Sequence, residues 1–260
     1  MKNLILILAL IFCKSIAAST PQIEYRVLER QTQTRDNFVQ GLEIFDNKIY
    51  LSSGGYGKSI LRKYDLKNGG LELERAMSSN IFAEGLTIFK NRLYLLSWRA
   101  RVAMVFDPTN LEMLTSFRIP GDGWGITNNG QQLIYSDGSH RLYFIDTTTL
   151  TVARTIFVME NGRRITRLNE LEYINKKIWA NIWLTNRIVL IDPETGQVTA
   201  FLDLTELTNE VRANSPENVL NGIALDPNNE NIWITGKRWP WRFKIEISEV
   251  VPTALKKTLK

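Results

Sequence analysis

Apolar residues in this chain come mostly in short runs broken by Asn, Asp, Gly and Pro, and the pattern that repeats along it has no helical period. The clearest unit lies at residues 167–183. Leu171 and Tyr173, then Ile178 and Ile182, form two short runs joined across Asn175-Lys176-Lys177. β-Branched and aromatic residues on either side of a polar turn predict an antiparallel hairpin rather than a helix. Its polar residues gather at one end: Asn169 and Glu170 open the first strand and Trp183 closes the second. In an antiparallel pair those ends lie side by side, so an amide, a carboxylate and an indole should converge on one edge.

The same plan occurs five times. The repeat position is Gly41, Gly85, Gly125, Glu170 and Gly222, within Gln40-Gly-Leu-Glu43, Glu84-Gly-Leu-Thr87, Trp124-Gly-Ile-Thr127, Asn169-Glu-Leu-Glu172 and Asn221-Gly-Ile-Ala224. The steps between them are 44, 40, 45 and 52 residues. A period of about 40–50 residues carried by strands marks propeller blades. Each landmark precedes a second strand, as at Ile49-Tyr-Leu51, and a third that ends in an acidic turn, as at Asp107-Pro108 and Asp192-Pro193. Such turns stop a strand cleanly. Fourth strands are predicted at 73–77, 113–118, 152–158 and 198–204. The fifth unit lacks one, while the segment at 23–28 has no unit of its own. Pairing that segment with the last strand closes the ring and hides both sheet edges. The prediction is an all-β, five-bladed β-propeller, a single domain over residues 19–260. The longest step holds an insertion whose residues 204–211 are predicted as a short surface helix.

Composition adds limits. At 260 residues, 44% hydrophobic and 23% charged, the chain can bury a full core. Residues 1–18 stand apart: Lys2, an apolar run from Leu4 to Phe12, then small residues around Ser15-Ile16-Ala17. That is the plan of a cleaved secretory signal, too short for a comfortable membrane span. Cleavage removes Lys2 and Lys14 and lowers the net charge from +5 to +3, too small and dispersed to argue for nucleic acid. It also removes Cys13, the only cysteine, so a mature chain has no disulfide, thiol nucleophile or thiolate metal site. The expectation is an exported monomer, periplasmic or secreted, with no stable membrane insertion after cleavage.

Blade geometry gathers the candidate chemistry. The residues just before the repeat position are Gln40, Glu84, Trp124, Asn169 and Asn221. Thirteen residues after it come Gly54, Trp98, Gly138 and Trp183, and two extra residues in the fifth unit bring Lys237 to the equivalent place. Both sets should share one mouth of the axial channel, with Phe38 and Asp137 close by. Packing between blades would explain any one tryptophan. Three at the same end of successive blades fit a small aromatic-walled pocket better. One acid and one lysine inside it make an acid/base or charge-stabilising pair. The single histidine, His140, is expected on an exposed loop and leaves no multi-histidine zinc site. Glu43, Asp137, Glu170 and Glu172 together offer enough oxygens for a structural calcium in the channel.

Phe38-Val-Gln-Gly-Leu42, Glu84-Gly-Leu-Thr87, Gly123-Trp-Gly125, Ser136-Asp-Gly-Ser139, Arg167-Leu-Asn-Glu-Leu-Glu-Tyr173 and Thr235-Gly-Lys-Arg-Trp-Pro240 resemble, in order, the motifs of plant and bacterial glutamine cyclotransferases. The resemblance runs from about Ile23 to Ile247. It implies a five-bladed propeller that acts on peptides or proteins with an N-terminal glutamine, forming pyroglutamate and releasing ammonia, with no cofactor. It further implies Glu84 as the essential acid, with Lys237 and Asn169 beside the substrate. As catalytic groups, either could steady a developing oxyanion, or Lys237 could instead tune the charge on Glu84. Phe38, Gln40, Trp98, Trp124 and Trp183 match positions around the substrate. Leu51, Leu95, Val39 and Ala83 depart from the family's usual residues, all outside that set. Two other readings stay open: a secreted propeller that binds peptides or glycans without chemistry, and a calcium-dependent propeller hydrolase.

Overall fold

Strands that are apolar on both faces need a neighbour on each side, and sheets arranged around a ring supply it. The computed structural model describes residues 19–212 and 215–248. The leader expected at residues 1–18, with Cys13, lies outside them. Five four-stranded antiparallel sheets surround a central axis. The first blade runs, from axis to rim, through Val39–Phe45, Lys48–Ser53, Ile60–Asp65 and Leu71–Ala76. The second uses Ala83–Phe89, Arg92–Ser97, Val102–Phe106 and Met113–Arg118. The third uses Ile126–Asn128, Leu133–Ser136, Arg141–Asp146 and Thr151–Phe157. The fourth uses Leu168–Ile174, Lys177–Ile182, Arg187–Ile191 and Val198–Asp203. Leu220–Leu225, Ile232–Gly236 and Trp241–Ile247 begin the fifth, and Tyr25–Thr32 completes it.

The core is divided among the seams between blades. In the third blade, Leu133, Tyr135 and Ile145 pack towards the second blade, while Ile134, Leu142 and Phe144 pack towards the fourth. Alternation along a strand therefore separates two buried faces. This explains why the inner strands read as apolar runs, whereas an outer strand such as Leu71–Ala76 is almost wholly exposed.

The N-terminal strand pairs with the last strand from Tyr25↔Ile247 to Thr32↔Trp241, four residues beyond the expected end at residue 28. Polar Gln31 and Thr32 conceal this extension from a reading based on apolar runs. The insertion folds as the predicted helix, Thr205–Glu210. Leu207 plugs it into the seam between the fourth and fifth blades, and Glu210 accepts two hydrogen bonds from Arg30.

Innermost strands leave backbone N–H groups facing the axis, and a buried N–H needs an acceptor. Three carboxylates meet that need. Glu170 accepts from the Leu42 and Ile223 N–H groups at 3.3 and 2.9 Å, joining the fourth blade to the first and fifth. Glu172 accepts from the Leu225 N–H at 3.0 Å and the Thr127 hydroxyl at 3.3 Å. Glu43 accepts from the Thr87 hydroxyl at 2.8 Å and the Ile88 N–H at 3.2 Å. Burial raises all three carboxyls, Glu43 to about 7.

Candidate active site

In four blades the axial strand carries a bulge at the repeat position. Val39 pairs with Ser53 but Gly41 pairs with Ser52, leaving Gln40 over. Glu84-Gly85, Asn169-Glu170 and Asn221-Gly222 likewise fall where the register shifts. A bulge turns the strand and re-aims a side chain out of the alternating pattern. The residue preceding the repeat position is thus free to face the mouth instead of a seam. The end of the second strand is held there by one recurring backbone bond. The N–H groups of Gly54, Trp98, Trp183 and Lys237 donate to the carbonyls of Phe38, Phe82, Arg167 and Val219 at 2.8–3.0 Å. Lys237 therefore stands where Trp98 and Trp183 stand in their own blades, as the sequence spacing requires.

These elements enclose a cavity of about 330 Å³ at one end of the axis. Phe38 and Gln40 line it from the first blade, Glu84 and Trp98 from the second, and Trp124 from the third. Asn169 and Trp183 come from the fourth blade and Lys237 from the fifth, so all eight candidate residues meet in one space. Trp124 and Trp183 touch edge to face with centroids 5.5 Å apart, and Trp98 meets Phe82 at 5.6 Å. Gly138, at φ +77, leaves room for Trp124, whose ring would lie 2.6 Å from an added Cβ.

Two lining residues lay outside the sequence expectation, Phe82 and Glu217. Phe82 had a signal: it precedes Glu84 by two residues, as Phe38 precedes Gln40. Glu217 had none, because it belongs to the insertion and has no counterpart in other repeats. Two expected neighbours are directed elsewhere. Asp137 accepts from the Ser139 N–H and the Tyr143 hydroxyl, both at 2.9 Å, and does not line the cavity. Asn221 donates to the Val39 carbonyl at 3.0 Å and so braces the strand carrying Gln40. His140 is half-buried beside Phe157 rather than exposed, with ring centroids 5.5 Å apart.

Of the four acids considered for calcium, Glu43, Glu170 and Glu172 lie near enough on the axis to raise one another's carboxyls, and Asp137 stands apart from them. Asp137 is held by Tyr143, and the three glutamates direct oxygens to strand N–H groups, as above. Among the described residues no group of three or more His, Cys, Asp or Glu is disposed to hold a metal ion.

Glu84 and Lys237 are both buried, at 6% and 5% exposure. Burial pushes the Glu84 carboxyl up to about 8, and the Lys237 ammonium restrains that rise. Burial pushes Lys237 down, restrained by Glu84 and then Glu217. Neither enters any of the ion pairs among the described residues. The Lys237 Nζ instead lies 4.8 Å from the Phe38 ring centroid. The buried Trp183 indole N–H and Asn169 Oδ1 also make no hydrogen bond among the described residues. An acid, a cation and two uncommitted polar groups within aromatic walls can bind a small polar group and move its protons.

Known proteins are similar to this chain in sequence and in fold. The glutamine cyclotransferase family model matches residues 3–247. The glutaminyl-peptide cyclotransferase of Arabidopsis thaliana is 36% identical over 230 residues, covering 87% of this chain and 72% of the plant protein. The crystal structure of Myxococcus xanthus glutaminyl cyclase has a TM-score of 0.84 and 31% identity, covering 90% of this chain and 100% of that one.

Proposed function

This chain belongs to the glutamine cyclotransferase family, and from that premise we propose that its axial cavity converts the N-terminal glutamine of peptides and proteins to pyroglutamate. The α-amine attacks its own γ-carboxamide carbon. An N–C bond closes a five-membered ring, the C–NH2 bond breaks, and ammonia leaves. Glu84 takes the proton lost by the amine and delivers it to the departing nitrogen, so it ends the cycle as it began.

The observation that carries this reading is the burial of Glu84 beside Lys237 within aromatic walls. A peptide α-amine has a pKa of about 8, and Glu84 is raised to about 8. A proton passes in either direction between groups so matched with little free-energy cost. Trp98, Trp124, Trp183, Phe38 and Phe82 confine the flexible glutamine side chain in an attacking conformation, an entropic advantage that can reach several kcal/mol. Gln40 and the Trp183 N–H are placed to hold the amide. Lys237 and Asn169 supply donors for the negative charge that grows on the γ-oxygen. The free amine is already a nucleophile, so the scheme needs no metal.

The leader-like pattern at residues 1–18 supports an exported enzyme, periplasmic or secreted. We extend the proposal to that address and to a monomer, because one chain supplies every residue lining the axial cavity.

The test is to incubate the purified chain with a Gln-initiated peptide, with and without EDTA, and follow ammonia release and the matching mass loss. Turnover that survives EDTA and falls by about 10²–10⁴ in Glu84→Gln is expected. A folded protein that turns over no such peptide would return the cavity to a binding role, and EDTA-sensitive turnover would require a metal.

A further inference from the structure

A cavity of about 330 Å³ holds the end of a peptide and not its length, so the rest of the chain must leave across its lip. Two cations sit on that lip, each laid over an aromatic ring that lines the cavity. The Arg99 guanidinium lies 4.2 Å from the Trp98 ring centroid, and the Arg238 guanidinium lies 5.4 Å from that of Phe38. Trp98 is itself braced by Tyr56 and Phe82, at 6.5 and 5.6 Å. Phe38 already has the Lys237 ammonium at its face, so two cations share one ring.

Both arginines are exposed, and neither enters an ion pair among the described residues. The nearby Arg101 differs, because Asp122 lies 3.4 Å from its guanidinium. Arg35 adds a further cation on the Arg238 side, its guanidinium donating to the Arg238 carbonyl at 3.4 Å. The opposing charge on the cavity rim is Glu217, which comes from the insertion between the fourth and fifth blades. Asp122, which also acts on Glu84, is paired with Arg101, and Asp36 offsets its neighbour Arg35. Arg99 and Arg238 therefore leave the side of the mouth formed by the fifth, first and second blades net cationic.

A guanidinium stacked on a ring keeps its N–H edge free and loses little further freedom when it meets a planar anion. We propose that Arg99 and Arg238 form a cationic lip that selects peptides carrying an acidic side chain directly after the N-terminal glutamine. This rests on the cyclisation proposed above and adds to it the class of substrate. The arginines are specificity-determining rather than catalytic, since neither lines the space where the bond forms.

Three peptides of equal length, amidated at the C-terminus and differing only in Glu, Ala or Lys after the glutamine, test this. At low salt kcat/KM should fall in the order Glu, Ala, Lys, by roughly two- to fivefold per step, as expected of exposed charge pairs. In Arg99→Gln/Arg238→Gln the Glu-to-Ala ratio should approach one, and Arg99→Glu should favour the Lys peptide. About 0.5 M salt should also compress the wild-type order through screening. Each ratio is taken within one preparation, so partial misfolding cancels. Equal rates for the three peptides in wild type, or a preference that survives the double substitution, would overturn the lip while leaving the cyclisation intact. No turnover of any of them by folded protein would overturn both.

Discussion

Because burial outweighs the relief from Lys237, the Glu84 carboxyl holds its proton up to about pH 8. Activity and stability should respond oppositely. The base form of Glu84 and the neutral substrate amine both accumulate through about pH 8, so kcat/KM should rise across that region. Lys237→Met removes the cation that restrains Glu84, so the rising limb should move to higher pH. It should also cost about 10–10³ in kcat if Lys237 steadies the oxyanion. A limb that stays in place would deny Lys237 its tuning role. Stability runs the other way. Below the ordinary value of 4.5 Glu84 is neutral in both folded and unfolded chains. Between 4.5 and about 8 only the unfolded chain ionises, so stability falls with rising pH and the loss is complete above 8. Glu84→Gln should therefore match wild type near pH 4 and exceed it near pH 9, by on the order of 2–4 kcal/mol. Thermal unfolding at the two pH values measures this.

At the repeat position of the first three blades, the glycine packs directly against the backbone of the next blade. A Cβ on Gly125 would lie 1.9 Å from the Asn169 carbonyl oxygen, in the backbone of the next blade. Gly85 faces the backbone at Trp124 and Gly125 in the same way. The contact cannot relax without moving the strand that carries Asn169, so Gly125→Ala should destabilise by about 3 kcal/mol or more. The urea midpoint should fall, and residual activity should fall with it. The fourth blade departs from glycine at this position, where Glu170 extends its carboxylate to the axial strands of the fifth and first blades. The repeat pattern was legible because of these glycines. The bulges that give it purpose were not, since a bulge is defined by the register of two strands rather than by either one.

For the whole molecule, stability depends on closure. Tyr25–Thr32 supplies the rim strand of the fifth blade, and Ile23, Tyr25 and Val27 pack into its seam. A chain beginning after Thr32 would expose the edge of Trp241–Ile247 and open that seam. It should lose cooperative thermal unfolding and self-associate through the free edge, as calorimetry and size-exclusion chromatography would reveal. A monomeric, cooperatively folding truncation would show that closure is dispensable.

The sequence by itself determined the blade count, the strand order, the closure and the eight residues gathered at the mouth. All of these follow from local strand and turn chemistry repeated at a nearly constant spacing, and repetition carries one hairpin's geometry to every blade. Only the tertiary structure decided the rest. Asp137 adjoins the position the spacing marks, Gly138, but turns to Tyr143 because that hydroxyl is within reach. Glu217 joins the cavity from an insertion that no repeat could locate. Glu84 becomes a base near pH 8 only through its burial and its neighbour, since the ionisation of a side chain is set by what surrounds it in space.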